Sequence, residues 1–285
     1  MRPLLRVVCV VLGTAFSLAQ EPAFEVASIR PTPATVTKPG DIQTMPNGRF
    51  LATNTTAKAL MLRAYGLVDS QLIGAPSWME NDHFDVDARA AAPPPAGPES
   101  LLPMVQRLLR ERFKLQAHAD TRELAAYALT FARRDRQRGP QLLDSKADCM
   151  RASSLSVDEV RAAARDGWPP CGMTYFVSFV TGPASGNLVK MRVRRSGTTI
   201  AAFATSLQRN VERPVIDQTG LAGLFDVEYS YAPPQVQTPG VENPFGPEAP
   251  LLFVALEEQL GLKLESRRMP VPVLVIDSVD RPSDN

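Results

Sequence analysis

The feature that most constrains this chain is a pattern it carries twice. Residues 251–277 read as a short amphipathic helix closed by Gly261, an alternating strand over 262–266, a turn, and a buried-type strand over 273–276. A weaker copy lies near residues 105–131. An alternating strand has one oily face, and an amphipathic helix has one apolar stripe able to cover it. Ahead of each copy comes the same order of strand, helix, short strand, alternating strand and proline-rich link. Phe84-Asp85-Val86-Asp87 echoes Phe225-Asp226-Val227-Glu228, and Phe113-Lys114-Leu115-Gln116 echoes Leu262-Lys263-Leu264-Glu265. Asn54-Thr55-Thr56 and Gly197-Thr198-Thr199 both open helices with capping side chains. The expectation is an α+β fold of two duplicated small units, each strand-helix-strand-strand-helix-strand-strand.

The first unit is expected over 20–132 and the second over 188–280, with a cysteine-bearing insertion over 133–187 where alternation is lost. Residues 1–19 read as an export signal. Arg2 and Arg6 precede an apolar run over 7–18, and Ser17 and Ala19 supply the small residues that cleavage requires. A spanning helix needs about 20 apolar residues, whereas this run is shorter and broken by Gly13 and Thr14. Cleavage near Ala19 would leave a chain that does not span the membrane, in the periplasm or secreted. It would also remove Cys9, leaving Cys149 and Cys171 as an even pair in an oxidising compartment, where a disulfide is the expectation. Without Arg2 and Arg6 the 31 basic and 30 acidic residues become 29 and 30. So near-neutral a balance exerts no overall pull on nucleic acid.

A wider set of residues carries a resemblance. Gly48-Arg49-Phe50, Ala64-Tyr65-Gly66-Leu67, Pro76-x-Trp78, Arg112-Phe113-Lys114-Leu115, Pro214-Val215-Ile216-Asp217-x-Thr219-Gly220-Leu221 and Val273-Leu274-Val275-Ile276-Asp277 together resemble a large paralogous family of secreted proteins from soil bacteria of the Acidobacteria type. That family has no assigned activity, and its domain is similar to one appended to membrane metallopeptidase sensors, which implies an ectodomain role. By pattern alone, each half also resembles the short N-terminal domain of secretins and TonB-dependent receptors. The likeness implies binding to partner proteins in the periplasm.

Chemistry is harder to locate. Glu80, Asp82, His83, Asp85 and Asp87 are the densest set of metal-type ligands, yet the matching stretch keeps Asp226 and Glu228 and puts Leu224 opposite His83, which favours a solvated face. With only His83 and His118, and no His-Glu-x-x-His or Gly-x-Ser-x-Gly, histidine-based hydrolysis has little to build on. No catalytic, cofactor or metal residue is therefore nominated. Lys190, Arg192 and Arg194 share one face of an alternating strand and, with Trp78, are the candidate binding residues. The reading is a non-catalytic interaction module of the envelope, binding a protein or peptide, with exposed sheet edges open to strand addition. Its rival is a hydrolase with a site in the cleft between the halves.

Overall fold

The computed structural model describes residues 22–45, 47–92, 98–146, 167–180, 188–232 and 250–282. The order is β1 (Phe24–Pro31), β2 (Asp41–Thr44), β3 (Arg49–Thr56), α1 (Ala57–Tyr65), β4 (Leu72–Ile73), α2 (Trp78–Asn81), β5 (His83–Ala90), α3 (Leu102–Arg112) and β6 (Gln116–Phe131). It continues as β7 (Leu142–Asp144), β8 (Thr174–Val180), β9 (Leu188–Thr198), α4 (Ile200–Val211), β10 (Val215–Asp217), β11 (Phe225–Tyr231), α5 (Leu252–Ala255) and β12 (Leu262–Ser278). Leu256–Leu260 extends α5 as a π-helical turn. Among the described residues no helix is long and apolar enough to cross a membrane.

The strands form three four-stranded sheets. The first is β1-β5-β3-β2, the third is β7-β11-β9-β8, and a middle sheet, β10-β6-β12-β4, joins them. Two strands of the third sheet, β7 and β8, come from the 133–187 stretch read as an insertion. In the first sheet Ala52 pairs with Val86 and Thr55 with Phe84; in the third, Arg195 pairs with Val227 and Thr198 with Phe225. Three steps on one strand face two on the other in both places, so each sheet carries a bulge at the matching point. Asn54 (φ 47°) and Gly197 (φ 60°) take the left-handed conformation there.

A carboxylate fastens each bulge. Asp85 Oδ1 accepts from the Asn54 N–H at 2.7 Å and from Thr32 Oγ1 at 2.9 Å. Asp226 Oδ1 accepts from the Gly197 N–H at 3.0 Å, Ser196 Oγ at 2.7 Å and Ser145 Oγ at 2.6 Å. The helices that follow start alike. Thr56 Oγ1 accepts from the Ala59 N–H and Thr199 Oγ1 from the Ala202 N–H, so the Asn54-Thr55-Thr56 stretch works as a helix start.

The expected hairpins are absent: residues 116–131 and 262–278 are single long strands paired with each other along nearly their whole length. Pro270 and Pro272 read as a turn in the sequence. The Pro272 carbonyl instead accepts from Gln71 Nε2 at 3.0 Å, on the side away from β6. A strand residue points its N–H and C=O the same way, so the missing N–H of Pro272, and of Pro270 two residues earlier, falls on that open side. Glu123 pairs with Pro270 at the centre of this ribbon. Four residues beyond each, Tyr127 takes Val215 of β10 and Leu274 takes Leu72 of β4 as parallel partners. Each half thus lends its short strand to the other half's long one.

One core lies between the first sheet and α1 and α3, around Phe50, Leu60, Met61, Leu109 and Phe113. A second lies between the third sheet and α4 and α5, around Phe203, Leu207, Phe225, Tyr229 and Leu256. Leu115 and Ile276 feed the first from the ribbon, and Leu129 and Leu262 feed the second.

Candidate functional site

The residues singled out in the sequence do not gather in one place. Arg192 and Arg194 lie on the outer face of the third sheet, where Glu228 takes both, at 3.5 Å and 3.0 Å. Arg194 also donates to the Gly167 carbonyl and lies over the Trp168 ring. Lys190 is half-buried on the same strand. Arg49 and Asp87 form the corresponding ion pair on the first sheet at 2.7 Å. That hydrogen bond holds the Asp87 carboxyl below its ordinary range and raises the Arg49 guanidinium. Trp78 packs against the first core with Arg281 over its ring.

The acidic cluster is dispersed among separate partners. Glu80 and Asp69 hold Lys58, Asp82 holds Arg281, Asp85 fastens the bulge, and His83 Nδ1 lies 3.1 Å from the Asn81 carbonyl oxygen. His118 pairs with Asp277 near one end of the ribbon. Among the described residues no group of three could hold a metal ion. Cys171 Sγ lies 3.5 Å from the Gly197 carbonyl oxygen, and Cys149 falls outside the described residues.

The groove between α1 and α4 is the site that sequence reasoning missed. Gln208 Nε2 donates to the Gly66 carbonyl at 3.3 Å and ties the C-terminal ends of the two helices together. Beside that contact run three adjoining cavities of about 240, 410 and 550 Å³. Arg63 and Arg209 line all three, and Arg195 lines the first two. Ser206 and Asn210 add polar groups, Leu62 and Phe203 an apolar floor. Thr44 of β2 and Thr174 and Phe176 of β8 stand at the rim of the 410 Å³ cavity, and Ile42 of β2 at that of the 550 Å³ cavity.

The two halves put different side chains here. Arg195 is 7% exposed and occupies the inward position whose match in the first sheet is Ala52, with no exposed surface. Its signal was present in the alternation, since Met191 and Val193 mark the inner face of β9 and Arg195 is the next residue on it. Arg209 sits in the last turn of α4, which is 12 residues long where α1 has 9. Arg63 follows from the helical spacing of α1 once α4 is seen to face it.

Of the carboxylates lining these cavities, Asp69 is held by Lys58 and Glu212 stands beside Arg209 in the 550 Å³ cavity. Buried Tyr229 borders the groove, and its phenol is pushed far up by burial, so it stays protonated. A guanidinium carries five N–H donors in a fixed fork, keeps its charge at any physiological pH, and neither gives nor takes protons in catalysis. Three of them in one concavity suit recognition of anionic groups better than proton transfer.

The profile of a family described as "protein of unknown function (DUF3738)" matches residues 58–279. No curated protein and no solved structure matches the chain.

Proposed function

This chain belongs to the DUF3738 family of proteins of unknown function, and on that premise we propose that it is an exported binding module of the cell envelope. In this reading the groove between α1 and α4 receives the anionic part of its ligand. The observation that carries this is Arg195, a guanidinium at a core-facing position where the matched strand has alanine. A hydrolase in the same cleft would need convergent proton-transfer groups. The described lining offers arginines and hydroxyls, with one of its carboxylates already held by Lys58.

Three further parts belong to this proposal. Export rests on residues 1–19, which lie outside the described residues, and implies a periplasmic or secreted protein. A Cys149–Cys171 disulfide would clamp the strand-entry segment at Gly172, whose N–H donates to the Ser196 carbonyl beside the groove. Finally, the halves descend from a duplication. The equal strand orders, the bulges at matching points and the exchange of β4 and β10 around the Glu123–Pro270 pair support this. The second unit then includes β7 and β8 as the counterparts of β1 and β2.

Thermal denaturation with poly-glutamate tests the groove. Wild-type protein should gain several degrees in Tm, as expected for a ligand that binds only the folded state, and the Arg63→Glu/Arg209→Glu double variant should gain none. An unchanged Tm in wild type, or an equal gain in the variant, would remove the groove as an anion site.

A further inference from the structure

Resting on the anion-binding reading of the groove, we infer that its 410 Å³ cavity takes an aromatic carboxylate, with the ring against Phe176 and the carboxylate on Arg209. Three observations within this one cavity carry the assignment.

The first is an uncovered ring. Val193 of β9 pairs with Tyr229 of β11 on one side and with Phe176 of β8 on the other, so the three form a row across the inner face of the third sheet. Tyr229 and Val193 are each 4% exposed, whereas Phe176 is 62% exposed. Phe203 of α4 packs edge-on against the Tyr229 ring, with centroids 5.9 Å apart, so the helix covers the row at Tyr229 and leaves its β8 end open. The matching row of the first sheet is Ala88, Phe50 and Thr44. The shared plan thus accommodates a small polar residue at this end, where the third sheet has a phenylalanine. A large ring left in water at the rim of a cavity is apolar area that a ligand can bury.

The second is the wall itself. Phe176, Phe203 and Tyr229 all line this cavity, and no aromatic residue lines the other two. Edge-on and offset contacts between rings gain more than the apolar area they bury, which favours a ring over an alkyl chain here. An apolar cavity of about 150 Å³ holds one benzene. At 410 Å³ this cavity has room for about two fused rings with a carboxylate. A bare inorganic anion would leave the Phe176 ring in water.

The third is charge. Arg63, Arg195 and Arg209 line the cavity, and among the described residues that line it there is no aspartate or glutamate. Arg63 and Arg195 have contacts of their own within the protein and supply positive potential. Arg209, exposed in the last turn of α4, has no hydrogen bond or ion pair among the described residues. Its planar fork matches a carboxylate, which it can hold through two parallel N–H donors.

Isothermal titration calorimetry with 2-naphthoate tests the assignment. Wild-type protein is expected to bind 2-naphthoate at least tenfold more tightly than the uncharged 2-naphthamide, and at least tenfold more tightly than octanoate. Arg209→Gln and Phe176→Ser, both at exposed positions, should each weaken 2-naphthoate at least tenfold with an unchanged circular dichroism spectrum. Phe176→Ser should keep the Tm gain from poly-glutamate, which needs no ring contact. Octanoate bound as tightly as 2-naphthoate would overturn the aromatic assignment, and so would Phe176→Ser binding 2-naphthoate like wild type. If 2-naphthoate does not bind while poly-glutamate still raises the Tm, the aromatic carboxylate falls and the anion-binding groove stands. If neither probe acts on wild type, both readings fall.

Discussion

The first and third sheets are built on one plan and differ where the groove is made. Both have a bulge held by an aspartate, a threonine-capped helix beyond it, and an arginine–carboxylate pair on the outer face. Inside, the first sheet has Ala52 and a short α1; the third has Arg195 and a longer α4 carrying Arg209. What the halves share is what any such unit needs in order to fold. Where they diverge, the third sheet carries a buried arginine at the position that alanine fills in the first. On the proposed reading, the difference separates scaffold from site within a single molecule.

The comparison breaks first if the halves fold independently. Because β4 and β10 are exchanged across the central ribbon, loosening either core should loosen both. Phe203→Ala should cost about 3–5 kcal/mol and Leu60→Ala about 2–5 kcal/mol, as large-to-small core changes do. Each should shift one shared transition in urea monitored by both fluorescence and circular dichroism. Two separated transitions would show that the ribbon does not couple the cores.

Next come the bulge fasteners. Asp226 accepts from three donors and Asp85 from two, and a hydrogen bond to a charged group is worth about 1.5–3 kcal/mol. Asp226→Ala should therefore destabilise more than Asp85→Ala, by the worth of one such bond, about 1.5–3 kcal/mol. Equal losses in urea unfolding would mean that the second hydroxyl on Asp226 adds nothing.

Arg195→Ala installs in the third sheet what the first already has. The variant should fold, with a circular dichroism spectrum like that of wild type, and lose at least tenfold in poly-glutamate affinity, about 1.4 kcal/mol. Retained affinity would move the anion site away from the buried arginine.

Much of the scaffold was legible because it is written in short-range chemistry. Phe84-Asp85-Val86 and Phe225-Asp226-Val227 do occupy matching strand positions, and the threonine caps were readable from type and place. The other echo, however, was two residues out of register. Gly261 closes the π-turn with φ 69°, and the residue that matches it is Lys114, with φ 51°, so Leu115 rather than Phe113 corresponds to Leu262. A lysine gives no sequence signal for a left-handed stop. The prolines of β12 hid a continuous strand because only tertiary context shows which edge is unpaired. The groove was illegible for a similar reason: Arg63 lies on α1 while Arg195 and Arg209 lie on β9 and α4 of the other half, and of the basic cluster that sequence did nominate Arg192 and Arg194 are held by Glu228.

That register gives a smaller prediction. A non-glycine residue in the left-handed region costs about 1–2 kcal/mol, partly offset by the backbone entropy glycine brings. Lys114→Gly should thus stabilise the protein by about 0.5 kcal/mol. A loss of stability in urea would mean that the Lys114 side chain makes a contribution that Gly261 does without.

The smallest effect lies in the outer-face pairs. Arg49 holds the folded-state pKa of Asp87 below its ordinary 3.8, by a hydrogen bond first and by charge second. The unfolded chain then binds that proton more readily than the folded one, so stability from the pair is fully present above the ordinary value and is lost as pH falls through the folded-state pKa. Half-exposed side chains are well screened, which keeps the contribution small. Asp87→Asn should lower stability slightly at pH 7 and less at an acidic pH below 3.8, measured by urea unfolding at the two pH values. An equal loss at both would show that Asp87 acts through shape and not charge, and the resemblance between the Arg49–Asp87 and Arg192–Glu228 pairs would then be one of position alone.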